Sequence, residues 1–241
     1  MKHLILIIYS VLLLCWCPAL YSQSTDYENI FSGDFRRALS DIENIRSVLR
    51  KECGLFNVNP QLAEAVVFPE LIRVSILREK IEVAGLSVFY VKFGRGYSDF
   101  SAGVFQMKPS FIEDLERHVS EEPGLSEFEN IFAYPAGPDE KDIRRERMAR
   151  ILSAEWQCRY AALFIKALSL KFPLHEMSDE ERVRFSATAY NYGFTKPYNK
   201  IINAEKLEQF PYGKISPVKQ YPYADVSLWY YKRICKMHRV D

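Results

Sequence analysis

The sequence predicts a mainly α fold, a single domain with a helical extension at its N-terminal side. Three observations carry this. Apolar residues recur at helical spacing over most of the chain. Residues that start and stop helices stand at the ends of those runs, among them Pro60 at a first helical position, Ser178 three residues before Glu181, and Gly193. No segment alternates convincingly enough to make a sheet, and no internal repeat is present.

The elements follow in order. Residues 1–22 have a basic start, Met1-Lys2-His3, an apolar run "LILIIYSVLLLCW", and small or tolerated residues before a boundary after Ser22. This is the layout of a secretory signal peptide, because a spanning helix needs about 20 apolar residues. Cys15 and Cys17 would serve a lipoprotein, but Leu14 and Trp16 are bulky where lipid attachment prefers a small residue. The expected location is therefore periplasmic or extracellular, with lipoprotein anchoring the lesser alternative and no spanning segment after cleavage.

Residues 23–59 form the N-terminal extension, with "DFRRALSDIENIRSVLRKE" as its helix, and residues 60–241 form the main domain. "PQLAEAVVF" opens that domain as helix, Pro69 interrupts it, and "ELIRVSILREKIEVAGLSVFYVKF" continues to Phe93. "GRGYSDFSAG" is loop, and "PSFIEDLERHV" is a short helix. Residues 120–140 carry three prolines and read as a flap. A long helix is expected from Glu140 to Lys171, then the capped helix "SDEERVRFSATAYNYG". A Tyr- and Pro-rich loop (194–223) leads to a last helix, "ADVSLWYYKRICKMH".

Charge and cysteine usage exclude several functions. Lys and Arg number 32 against 31 Asp and Glu, so the basic footprint of a nucleic-acid binder is missing. Cys53, Cys158 and Cys235 are too far apart for zinc spacing, which leaves one disulfide plus a free thiol, or three buried thiols. The histidines His118, His175 and His238 are isolated, and no metal or cofactor is expected. The run "DEKDIRRERMAR" (139–150) reads as a solvated helix face with opposite charges four apart.

Glu70 is the residue with chemical promise. It sits in "AEAVVFPELI", an acid among apolar neighbours, where its charged form is disfavoured and its pKa is pushed toward a general acid's range. The competing reading makes it a first-turn residue after Pro69, with the helix dipole lowering its pKa instead. Downstream, "GVFQ" (103–106) with Pro109, and then "ATAYNYG" (187–193), complete three motifs in order.

Taken together, Glu70, Gly103-x-x-Gln106 with Pro109, and Tyr190-Asn191 with Gly193 resemble the lysozyme-like lytic transglycosylases, over roughly residues 60–236. The resemblance implies a lysozyme-like fold of the goose-type lysozyme and lytic transglycosylase kind. It also implies cleavage of the β-1,4 bond between N-acetylmuramic acid and N-acetylglucosamine in peptidoglycan. Glu70 would be the single acid and base, and Gly103, Gln106, Tyr190 and Asn191 would bind the glycan strand. The chain departs from the family at Leu71, where serine is usual, and in the long interval from Glu70 to Gly103; Arg73 and Ser75 stand nearby as substitutes for that serine.

Two alternatives stay open. One is a catalytically weak or inactive glycan-binding or scaffolding protein of the same fold, with cell-envelope proteins as partners. The other is an inverting muramidase, in which Asp99 would activate water from across a gap of about 6.5–9.5 Å. Asp99 is otherwise a turn residue in a glycine-containing loop. The loop tyrosines Tyr192, Tyr198, Tyr212, Tyr221 and Tyr223 suit either glycan stacking or ordinary packing.

Overall fold

A computed structural model describes residues 25–77, 83–134, 139–213 and 216–237. The leader assigned to residues 1–22, His238 and the side chain of Cys235 lie outside the described residues. The fold is mainly α. Its helices are α1 (Tyr27–Leu55), α2 (Pro60–Leu77), α3 (Val83–Phe93), α4 (Pro109–Glu121), α5 (Glu129–Phe132), α6 (Glu140–Leu152), α7 (Ala154–Lys171), α8 (Asp179–Tyr192), α9 (Tyr198–Ala204) and α10 (Tyr223–Met237). Two short strands, β1 (Glu208–Phe210) and β2 (Tyr221–Pro222), pair antiparallel before α10.

Helix α2 is the central element. It is apolar nearly all round, as a helix packed on every side must be, and it is covered by α1, α8, α10 and α7. Its two buried acids each have a partner, because a buried charge left alone is costly. Glu64 accepts from Arg46 at 3.0 Å and from the Tyr230 hydroxyl at 2.7 Å; Glu70 is met by Arg73. Beside Glu64, the rings of Phe68 and Tyr230 lie parallel with centroids 3.5 Å apart. The extension helix α1, kinked at Ser32, contributes Phe35, Ile42 and Leu49 to this same core, and Phe56 at its C-cap joins them.

Several elements differ from expectation. Helix α9 and the two short strands lie inside the segment read as a Tyr- and Pro-rich loop. Pro69 does not interrupt its helix: α2 runs 18 residues through it. The proline has no N–H to donate back along the helix, and just upstream the Val66 carbonyl takes a 2.9 Å hydrogen bond from the Tyr223 hydroxyl. The helix expected from Glu140 to Lys171 breaks at Ser153, whose hydroxyl caps α7 by accepting from the Trp156 N–H. The segment read as a flap is pinned, with Leu125, Phe128 and Phe132 buried and the Phe128 ring 4.6 Å from that of Phe56. The face of α6 is only partly solvated: Arg150 is buried and donates to the Phe132 and Ala133 carbonyls, and Arg147 pairs with Glu116.

The cap of α8 is as expected. Ser178 accepts from the Glu181 N–H, and the Glu181 carboxylate accepts from both the Ser178 N–H and its hydroxyl, which holds that carboxyl below its usual range. Replacing Ser178 with Ala should cost about 1 kcal/mol, read as a lowered midpoint in urea at unchanged slope. The last turn of α8 carries Tyr190 and Asn191, so this helix forms one wall of the site.

Candidate functional site

Glu70 lies in mid-helix rather than in a first turn, so the dipole-based reading does not apply. It is 3 % exposed, and burial pushes its carboxyl pKa above the ordinary value. Three groups work against burial: Arg73, the Tyr223 hydroxyl and, more weakly, Lys108. Arg73, one turn on, places Nη1 2.7 Å from both carboxylate oxygens. The rest of that guanidinium is also engaged. Nε donates to the Pro211 carbonyl at 3.2 Å and Nη2 to Asn191 Oδ1 at 3.3 Å, and the plane lies near the Phe210 and Tyr223 rings. Arg73 thereby joins α2, α8 and the segment after β1. Ser75, the other nearby substitute, is turned to α1, where it donates to Asp34 and accepts from Arg37.

The Gly103–Gln106 segment is a tight turn closed by a two-bond bridge, Ala102 to Met107, each N–H···O at 3.0 Å. Phe105 and Met107 are buried while Gln106 between them faces the cleft. That alternation places Gln106 in the left-handed region at φ 49°, a conformation costing an L-residue about 1–2 kcal/mol. Its amide Nε2 donates one hydrogen to the Gly103 carbonyl at 2.9 Å, so its side-chain carbonyl and the second amide hydrogen are left for a ligand.

Gly103 itself does not line the cleft, and its expected sugar-facing role is replaced by packing. At φ 73°, a Cβ there would lie 1.5 Å from Gln157 Nε2. Gln157, fully buried on α7, accepts from the Phe105 N–H at 2.6 Å and donates to the carbonyls of Ala102, at 2.9 Å, and Ile151. From the opposite side the Tyr190 hydroxyl donates to the Phe105 carbonyl at 2.7 Å. The turn is thus clamped by a glutamine beneath and a tyrosine beside it.

Glu70, Arg73, Asp99, Gln106, Tyr190 and Asn191 all line one cleft of about 500 Å³. Burial holds the Tyr190 and Tyr223 hydroxyl pKa values well up, so both remain donors. Asp99 is no local turn residue. Its carboxylate accepts from the Ser110 N–H at 2.9 Å and from the Ser110 hydroxyl at 2.8 Å, which caps α4. Asn191 turns its side-chain oxygen to Arg73. Of the loop tyrosines, Tyr192 and Tyr212 line the cleft and are exposed; Tyr198, also exposed, stacks on Phe185 away from the cleft lining, Tyr221 packs on Tyr27, and Tyr223 lies inside the core.

Gln157 is the residue that sequence reasoning left out of the site, and Tyr223, read there as a stacking or packing residue, was not assigned to Glu70. A glutamine at an apolar position of "EWQCRYAALF" was the available signal for the first. Cys53 and Cys158 are free, buried thiols, each pushed up to about 12 mainly by burial. Among the described residues, no group of three or more His, Cys, Asp or Glu is placed to hold a metal.

What the fold and site define is a mainly α protein with a buried, arginine-paired acid in an open cleft. Comparison with protein-family models, with curated proteins and with solved structures finds no match to this chain.

Proposed function

We propose that this chain is an exported lysozyme-like lytic transglycosylase that cleaves the β-1,4 bond of peptidoglycan glycan strands, with Glu70 as its only acid and base. The observation that supports this best is the convergence of Glu70, Gln106, Tyr190 and Asn191, far apart in sequence, on one cleft. Glu70 is the buried member, and its raised pKa suits a group that must first donate a proton.

In the proposed reaction, protonated Glu70 gives its proton to the glycosidic oxygen as the C1–O bond breaks. The resulting carboxylate takes the proton of the muramic acid 6-hydroxyl as O6 bonds to C1. No water is consumed and no second carboxylate is required. Arg73 holds the ionised form between the two transfers. The Gln106 carbonyl can accept from an N-acetyl N–H, and Tyr192 and Tyr212 offer exposed ring faces along the same cleft.

One observation favours a second reading, a glycan-binding protein of weak activity: the Glu70 carboxylate is already held at both oxygens by Arg73. The inverting muramidase has less support, because the Asp99 carboxylate is occupied by Ser110.

Digestion of purified peptidoglycan, with products read by mass, separates the three. Anhydro-muropeptides from wild type and none from Glu70→Gln are expected. Reducing-end products lost in Asp99→Asn would assign the muramidase, and bound glycan with no release would assign the binding protein.

A further inference from the structure

Helix α3 is apolar on both faces: Val83, Tyr90 and Val91 pack on the core, and further apolar residues face outward. Its inward face carries Tyr90, fully buried, whose hydroxyl donates to Glu113 at 2.7 Å and accepts from Arg147 at 2.9 Å. Its outward face is apolar: Leu86, Phe89 and Phe93 lie at i, i+3 and i+7, one stripe of a helix, and all three are exposed. Val88 beside them is 65 % exposed and Phe89 55 %, and Tyr97 beyond the helix end is 79 % exposed. The rings of Phe89, Phe93 and Tyr97 follow one another at 6.3 and 5.3 Å. Single exposed apolar residues need no explanation, but a contiguous strip marks a surface that something covers.

Charge indicates what that is. Between Val83 and Ser98 there is no acidic residue; the charged residues are Lys92 and Arg95. Arg95 is held by Asp114 and Glu113. Lys92 is exposed, has no carboxylate partner among the described residues, and sets its ammonium 5.1 Å over the Phe93 ring. A long cationic side chain lying along an apolar face, with its charge free to reach outward, suits a layer of apolar chains capped by anionic groups.

A second copy packed about a two-fold axis would bring the same patch, and the same unpaired Lys92, against itself. A glycan strand needs hydrogen-bonding side chains beside its stacking rings. This strip offers few, since the Ser87 hydroxyl is spent on the Val83 carbonyl. At roughly 16 Å the helix is far shorter than a hydrocarbon core of about 30 Å, so it would lie on a bilayer rather than cross it. Among the described residues no helix is long and apolar enough to cross.

We propose that the outer face of α3, from Leu86 to Tyr97, docks this protein on the surface of an anionic lipid bilayer, with Phe89, Phe93 and Val88 entering the interfacial layer and Lys92 meeting the headgroups. This inference does not depend on the reaction assigned to the cleft.

The test is amide hydrogen exchange on the full chain, with and without vesicles of phosphatidylglycerol mixed into phosphatidylcholine. It reads residues 83–97 alone, so that binding by any other segment does not enter. Vesicle-dependent protection of 83–97 is expected. The Val88→Ser/Phe89→Ser double variant should need at least about tenfold more lipid for half protection, from the lost apolar burial. Lys92→Glu should weaken protection on the anionic vesicles, and both variants should melt like wild type because the replaced side chains are exposed. The proposal is overturned if 83–97 gains no protection from vesicles, or gains as much from pure phosphatidylcholine. It is equally overturned if protection instead follows protein concentration without lipid, which would assign the face to self-association, or follows added soluble glycan.

Discussion

Glu70→Gln is expected to lower glycan-cleaving turnover by about a hundred- to ten-thousandfold while the protein stays folded, because glutamine keeps the shape and one oxygen that still accepts from Arg73. The more discriminating result concerns pH. A general acid works only while protonated, so activity should fall on the alkaline side through the pKa of Glu70, which burial holds above the ordinary carboxyl range. Arg73 opposes burial and lowers that pKa. Arg73→Met should therefore raise it and move the alkaline limb of the profile upward, whatever happens to the maximal rate. An arginine that merely braces the fold would change the rate or the melting temperature without moving the limb.

Stability carries the same sign. A carboxyl whose pKa is higher in the folded state than in the unfolded chain stabilises fully below the unfolded value, and that contribution is lost as pH rises through the folded one. Wild type should therefore lose stability as pH climbs from about 4.3, the ordinary value for glutamate, up through the raised pKa. Arg73→Met should lose more over a window that extends further upward, and Glu70→Gln should lack this dependence. Thermal melts at several pH values, set beside the activity profiles, measure both.

The helices themselves were largely legible in the sequence because most carry their own punctuation. Ser178 with Glu181 starts α8, Gly193 ends it, and Pro109 opens α4. Two boundaries were hidden for opposite reasons. Pro69 reads locally as a breaker, but α2 is packed on all sides, and that tertiary enclosure outweighs the local preference. Ser153 reads as an ordinary interior residue of one long helix, since nothing in "LSAEW" completes a capping box.

At the site, Glu70, Gln106, Tyr190 and Asn191 were visible as residue types in a familiar order, and they do line one cleft. The pairing of Glu70 with Arg73 was within reach of helical spacing, since residues three apart share a face. What spacing cannot say is whether that face meets water or the core, and here burial turns a common surface pair into a controlling one. The roles of Gln157 and Asp99 are long-range. One supports a turn 52 residues before it and the other caps a helix 11 residues after it, so local sequence shows at most that Gln157 stands at an apolar position and names neither partner.

Gly103 is where a single methyl group should do the most harm. In Gly103→Ala the new Cβ would stand 1.5 Å from Gln157 Nε2 and 2.6 Å from the Ile151 carbonyl oxygen. The second of these is backbone and cannot swing aside. The first belongs to an amide already pinned between the Ala102 and Ile151 carbonyls, so moving it leaves buried carbonyls and the Phe105 N–H without partners, at about 1–3 kcal/mol each. Alanine at φ 73° adds about 1–2 kcal/mol of its own. The total should reach at least about 4 kcal/mol, read in urea, and glycan binding should fall with it because Gln106 is carried on the displaced turn.

A double-mutant cycle isolates the cause. Gln157→Ala alone should also be costly, but Gly103→Ala added to it should cost clearly less than in wild type, since the side chain it strikes is gone. Full additivity would mean that the dihedral angle and the Ile151 carbonyl, and not the Gln157 side chain, require the glycine. Gln106→Gly supplies the opposite control: relieving the strain at φ 49° should stabilise the fold by about 1 kcal/mol while removing the side-chain carbonyl that faces the cleft. A variant that is more stable yet binds glycan less would separate the turn's two duties, the shape set by Gly103 and Gln157 and the recognition carried by Gln106.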